Sequence, residues 1–216
     1  MVASPYTNNT NLFPVAAVLD TTTMTTIPEF SWQREVNGED YAVSTQQARL
    51  DRAFVNDAFA SQDMHWARRL PEDQVDVLLK HSLTLGLYKI LPAVPPPASA
   101  SEPSSPRTPS PTLENSSTCL QIGMARFNTD YVTFLYLTDV YIAPEHRSAG
   151  HGAWLIKCCK EIVNSMPHLR RVALMSSSDV GMSYYAKALG VWNVLEEADH
   201  MACMTKTGPG FGKGGE

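Results

Sequence analysis

The residue pattern predicts an α/β (α+β) domain in which a mixed, mostly antiparallel sheet is flanked by helices. Three observations carry that prediction. Short runs rich in β-branched, aromatic and aliphatic residues recur along the chain, at 41–45, 83–91, 119–127, 133–142 and 169–175. Segments with apolar residues at helical spacing lie among them, at 50–60, 72–81 and from 152 onward. Between Thr133 and Val163 one element of each kind is joined through a glycine-bearing turn, and the rest of the chain is organised around that unit.

The elements follow in order. Residues 1–38 are rich in Thr, Asn, Ser and Pro and read as a disordered leader, with Phe30 and Trp32 able to pack on the domain as an anchored edge. A short strand is expected at Tyr41–Thr45. A helix follows over 50–60, with Leu50, Phe54, Val55, Ala58 and Phe59 apolar, then a polar and aromatic connection containing His65 and Trp66. Pro71 signals a second helix from about Glu72 to His81, with Val75, Leu78 and Leu79 facing inward. Leu83–Leu91 reads as a strand.

Residues 92–118 break this pattern with eight prolines interleaved among serines and threonines. Such a segment cannot bury enough apolar surface to offset its ordering entropy. Neither flank is a complete unit without the other, so the segment reads as an insertion in a hairpin loop, leaving 83–91 free to pair with Cys119–Phe127. Insertions of this kind cost roughly 0.6 kcal/mol per doubling of loop length. Asn128-Thr129-Asp130 signals a turn before the strand Thr133–Ile142. After the central helix, Leu169–Met175 reads as a buried strand. Ser176–Asp179 supplies a helix N-cap region, and a short helix closes at Gly190. Val191–Leu195 and His200–Lys206 are expected as a last antiparallel pair, and 207–216 as a flexible glycine-rich tail. The domain is therefore placed at 39–206.

Composition bounds the function. The chain of 216 residues is 44% hydrophobic and 18% charged, with a formal charge of −5. This is a globular balance that argues against a nucleic-acid-binding surface and is compatible with a cationic amine. Of the four cysteines, Cys158 and Cys159 are adjacent and Cys119 and Cys203 isolated. Neither a C-x-x-C metal pair nor a disulfide framework results, which points to a reducing interior. The sequence has no apolar run near the ~20 residues of a membrane span and no secretory signal pattern. The expectation is a soluble protein of cytoplasm or nucleus.

Chemistry concentrates in the turn Arg147-Ser148-Ala149-Gly150-His151-Gly152. A helix N-terminus behind small residues offers unpaired N–H groups and the positive end of a dipole, so it suits an anion such as a pyrophosphate. The same turn also fits a plain strand-to-helix connection. The G-x-x-x-x-G-K-[ST] loop is absent, and G-x-G-x-x-G is incomplete because Leu155 stands where its third glycine would fall. Arg-x-x-Gly-x-Gly after a hydrophobic strand does fit. It resembles the acetyl-CoA signature of the GNAT N-acetyltransferase superfamily.

Further stretches extend the resemblance to a small stand-alone GNAT branch: Leu50-Asp51, His65-Trp66-Ala67, His81-Ser82-Leu83 with Gly86-Leu87-Tyr88, Gly123 to Phe127, Thr129 to Phe134, Leu137 to Ile142, and Pro144 to Arg147. The resemblance implies the GNAT acyl-CoA N-acyltransferase fold and direct acetyl transfer to an amine, with acetyl-CoA as co-substrate and no metal. The expected state is a monomer or homodimer without nucleic-acid or membrane partners. It places the acetyl group and pantetheine arm on the backbone at Val140, Tyr141 and Ile142, and the pyrophosphate on the N–H groups of Arg147, Ser148, Ala149, Gly150, His151, Gly152 and Ala153. Ser178 stands where many relatives carry an asparagine on the pantetheine arm.

For the proton delivered to the thiolate, the resemblance implies a tyrosine shortly before a glycine. Tyr185 is favoured over Tyr184. Asp139, a carboxylate on an otherwise apolar strand, is a candidate general base, or else a structural acceptor for neighbouring N–H groups. His65 and Trp66 fall where relatives border the acceptor, as an aromatic wall for a cation or as a core anchor. His151 reads as tolerated in the turn rather than chemical. The reading is an acetyl-CoA-dependent N-acetyltransferase for a primary amine of a small molecule; the rival is a catalytically weak acyl-CoA-binding regulatory or interaction module.

Overall fold

The computed structural model describes residues 29–92 and 119–197. Within them six strands form one sheet in sequence order: β1 (Ser31–Val36), β2 (Glu39–Ser44), β3 (Leu83–Ile90), β4 (Cys119–Thr129), β5 (Phe134–Ile142) and β6 (Arg171–Leu174). Neighbours are antiparallel from β1 through β5, and β6 lies parallel to β5. The helices are α1 (Arg52–Phe59), α2 (Glu72–Lys80), α3 (His151–Ser165), α4 (Asp179–Leu189) and the short α5 (Val194–Glu197). The mixed, mostly antiparallel sheet with flanking helices is the expected class.

Two apolar clusters hold the layers together. One packs α3, through Leu155, Ile156, Cys159 and Ile162, against Val43, Leu85, Leu87, Phe127 and Leu135 of the sheet. The other packs α1 and α2, through Val55, Phe59, Val75 and Leu79, against Met64 and Met124. Burying one such aliphatic or aromatic side chain contributes about 1.5–3 kcal/mol. Burial raises the Cys158 thiol to about 12 and pushes Cys159 higher still, so at neutral pH both are packing groups rather than nucleophiles.

The strand read at 83–91 pairs with the one beginning at Cys119, from Leu83 opposite Phe127 to Ile90 opposite Cys119. The segment read as an insertion therefore connects the two strands of a hairpin. Apart from Pro92 it lies outside the described residues, as do the leader through residue 28, the strand expected at His200–Lys206 and the tail.

Three local expectations are corrected. The sequence pattern extends a leader to residue 38, but Ser31–Val36 is β1, joined to β2 by a two-residue turn at Asn37-Gly38 with φ of 55° and 78°. Both central residues of that hairpin turn need positive φ, which Asn-Gly accommodates. Val191–Leu195 is not a strand. Asn193 accepts from the Leu195 N–H (3.2 Å) and donates to Glu196 Oε1 (2.8 Å), a capping arrangement that starts α5 instead. The turn expected at 128–130 comes later, because β4 runs on to Thr129. Asp130 then accepts from the N–H groups of Val132, Thr133 and Phe134 and from the Thr133 hydroxyl, which holds its carboxyl well below the usual range.

Phe30 and Trp32 do pack as an anchored edge. Their rings stack at 5.8 Å, and Trp32 Nε1 donates to Glu161 Oε2 on α3 at 2.6 Å. The first two strands thus reach the surface of α3.

Candidate active site

The site arises where β5 and β6 part. They pair from Phe134 opposite Arg171 to Leu137 opposite Leu174, where β6 ends, while β5 continues to Ile142. Residues 138–142 therefore have no strand on that side among the described residues. Antiparallel backbone groups alternate between the two edges of a strand. Ala143 donates its N–H to Ile122 O on the β4 side (2.9 Å), so the polar groups of Ile142 and Val140 are directed to the open side. Gly123 permits the close approach of β4, since a Cβ there would lie 2.9 Å from Tyr141 O and 2.6 Å from Ile142 Cδ1.

β5 carries an extra residue at the same place. Thr138 pairs with Arg126 and Tyr141 with Met124, so Asp139 and Val140 together face one residue of β4. Asp139 absorbs the irregularity with φ of 49°, a left-handed conformation that Asp tolerates better than most residues.

A cavity of about 490 Å³ occupies the gap, lined by Val140 to Ile142 of β5 and by Arg147, Ser148, Gly150, His151 and Gly152 of the following turn, with Asp63 at its side. Gly150, at φ of 73°, precedes α3 without a side-chain cap. Within the helix the backbone bonds begin with Trp154 N–H to Gly150 O (3.1 Å). The N–H groups of His151, Gly152 and Ala153 have no intrahelical carbonyl. They and the helix dipole provide what an anionic group needs. Arg147 crosses this mouth: its Nε donates to Ile142 O (2.9 Å) and its Nη2 to Asp63 Oδ2 (2.6 Å).

On the α1–α2 side of the same strand lies a polar cluster. Asp139 is 5% exposed and both carboxylate oxygens are engaged. Arg126 Nε and Nη2 lie 2.7 and 2.5 Å from Oδ2, while Trp66 Nε1 and Thr138 Oγ1 each donate to Oδ1 at 3.1 Å. Trp66 remains 48% exposed, with His65 set edge-on against its ring at 4.9 Å. The structure brings Asp139 and Trp66 together, as an acceptor and its donor.

The remaining candidates lie elsewhere. The Ser178 hydroxyl caps α4, accepting from Gly181 N–H at 3.1 Å. Tyr184 and Tyr185 contact each other at 5.2 Å, and Tyr185 packs against the α3 core while Tyr184 is 39% exposed. Neither lines the cavity. Burial raises both phenols, because a phenolate there would lose its hydration. No group of three or more His, Cys, Asp or Glu that could hold a metal occurs among the described residues. No helix there is long and apolar enough to cross a membrane.

Known proteins resemble this chain. Residues 109–191 match the model of the Acetyltransferase (GNAT) family. A Gibberella zeae protein named "Putative acetyltransferase" is 37% identical over 158 residues, which are 73% of this chain and 82% of that protein. The chain belongs to the GNAT acetyltransferase family. The chain is also similar to a Xanthomonas campestris crystal structure described as "a putative acetyltransferase belonging to the gnat family", at 26% identity and a TM-score of 0.50, over 79% of this chain and 94% of that one. Within the GNAT domain, sequence reasoning assigned no role to Arg126 or Asp63. Arg126 had a signal, a charge on an otherwise apolar strand like that of Asp139. Asp63 had none, because it meets Arg147 from 84 positions away.

Proposed function

We propose that the chain is an acetyl-CoA-dependent N-acetyltransferase that transfers the acetyl group directly to a primary amine of a small molecule. The observation that carries this reading is the cavity itself. An unpaired stretch of β5 backbone and the N-terminus of α3 border one space, so a thioester arm and a diphosphate can be held at once. Its volume is of the order found for small-molecule sites, about 300–1,000 Å³.

Bound acetyl-CoA supplies an acyl group activated as a thioester. In this reading the N–H groups from Ser148 through Ala153 bind the diphosphate, with Arg147, whose own N–H donates to Pro144 O (3.3 Å), adding charge through its side chain. The Val140 backbone holds the acetyl carbonyl, and Tyr141 and Ile142 align the pantetheine arm. Tyr185, or its neighbour Tyr184, carries the proton for the departing thiolate. Both phenols carry their proton at neutral pH, as any tyrosine does, which is the state a donor requires, and burial raises them further. Trp66 and His65 wall the acceptor.

The general-base role considered for Asp139 fits less well than its alternative. Both carboxylate oxygens are already engaged, Oδ2 by Arg126 and Oδ1 by Trp66 and Thr138. Asp139 is assigned instead to holding the Trp66 indole and the irregular turn of β5. Ser178 contributes by fixing the start of α4.

The test is thiol release from acetyl-CoA with a panel of polyamines, amino acids, aminoglycosides and lysine peptides. Turnover with at least one small amine is expected, and Tyr185→Phe should lower kcat about 10²-fold while CoA affinity holds. Tight CoA binding without turnover on any amine would instead favour an acyl-CoA-binding module. The exclusion of both tyrosines from the cavity lining is the observation that keeps this second reading in play.

A further inference from the structure

His151 opens α3, and its N–H is one of those assigned to the diphosphate. Its side chain is only 2% exposed. One side of the ring meets Tyr41 of β2, centroid to centroid at 4.4 Å. On another, Arg34 Nη2 of β1 lies 2.7 Å from His151 Nδ1. A guanidinium has donors and no acceptor, so Nδ1 is the acceptor, and the imidazole is neutral with its proton on Nε2. The same guanidinium lies over the Trp154 ring at 4.3 Å, three residues along α3 and on the same helix face. Arg34 therefore grips the first turn of α3 at two points.

This arrangement is not one that simple packing would choose. Arg34 Nε is buried without a hydrogen-bond partner, which costs free energy. In return, a permanent positive charge stands beside the positive end of α3, where an anion is to be held. The surroundings keep the ring neutral. Burial first, then the charges of Arg34 and His146, lower its pKa, with Glu39 opposing weakly; Glu39 is itself engaged by Lys89 and the Tyr41 hydroxyl. Cys158 of α3 and Tyr41 of β2 are the titratable groups that act on Arg34, both against the effect of burial.

We infer that Arg34 is a positioning residue for the coenzyme A diphosphate, acting through His151 and Trp154 to fix the N–H groups at the start of α3. The inference rests on the diphosphate reading above. It gives the β1–β2 hairpin, at the far edge of the sheet from β5, a part in the cofactor site.

The test compares CoA with S-acetylpantetheine, which has the arm and thioester but no diphosphate, on the full chain by calorimetry. Arg34→Met keeps length but loses donor and charge. It should weaken CoA binding about tenfold, the scale of one charge-assisted hydrogen bond, and leave S-acetylpantetheine unchanged. Arg34→Lys should recover part of the loss. An equal loss for both ligands, or CoA affinity within twofold of wild type, would overturn this inference while leaving the cofactor site standing. Wild-type protein that binds no CoA would overturn both. Should Arg34→Met fail to fold, ¹⁵N-histidine NMR of the wild type decides: a bare Nδ1 and protonated Nε2 are expected at neutral pH, and a protonated Nδ1 refutes the contact.

Discussion

The two ends of α3 are built on opposite terms. Its N-terminus faces the cavity bordered by open β5 backbone and the turn Arg147–Gly152, where glycine and serine hold left-handed conformations. Its C-terminal half borders a smaller cavity of about 220 Å³, lined largely by Phe30, Leu83, Leu135, Ile162, Met166 and the hairpin around Tyr131. β5 runs beside both ends. Where β6 pairs with it, the backbone groups are satisfied by the neighbouring strand and the space beside it is lined by apolar side chains. Where β6 has ended, no strand lies beside the main chain, and Arg147 takes the Ile142 carbonyl. A strand outlasting its neighbour is what converts core into site.

That contrast can be broken at each end. The largest effect belongs to the apolar end. Ile162 is fully buried there, and Ile162→Ala should cost about 2–5 kcal/mol of stability, read by denaturant unfolding, with CoA affinity unchanged in the protein that remains folded. A parallel loss of CoA binding would show that the two ends are not separable.

At the polar end, Gly150→Val forces a β-branched residue to φ of 73°. The expected cost is about 1–3 kcal/mol of strain, and the larger consequence is expected on calorimetric CoA affinity because the displaced backbone is the proposed binding surface. A variant that loses stability but binds CoA normally would remove the turn from the site.

The smallest effect sharpens the apolar end through pH. The Asp130 carboxyl is lowered by its hydrogen bonds in the hairpin beside the second cavity. Its contribution is therefore complete above the unfolded value of about 4 and is lost as pH falls from there toward the depressed folded value. Thermal unfolding of wild type and Asp130→Asn should show a gap at pH 6 that narrows below pH 4. A gap constant with pH would mean that the charge contributes nothing.

Much of this was readable in one dimension. The strands at 83–90, 119–129 and 134–142 and the helices at 52–59, 72–80 and 151–165 announce themselves by period, because a face buried against one neighbour must repeat as the backbone does. Asn37-Gly38 was an available signal for the first hairpin that the surrounding polar composition obscured. Val191–Leu195 misled because its apolar residues suit a short strand as well as a helix, and the Asn193 cap settled the matter locally.

The site divides along the same line. The order of residues determined the strand, the glycine turn and the helix that follows, since φ restrictions, capping and hydrophobic period act between near neighbours. Only the tertiary structure decided that Asp139 is held by Arg126 and Trp66, that Arg147 reaches Asp63, and that Arg34 supports His151 from 117 positions away. Those partners are distant along the chain and close only because the sheet curls the first hairpin onto α3 and ends β6 before β5. Side-chain chemistry can be listed from a sequence, but which charge meets which is settled by packing.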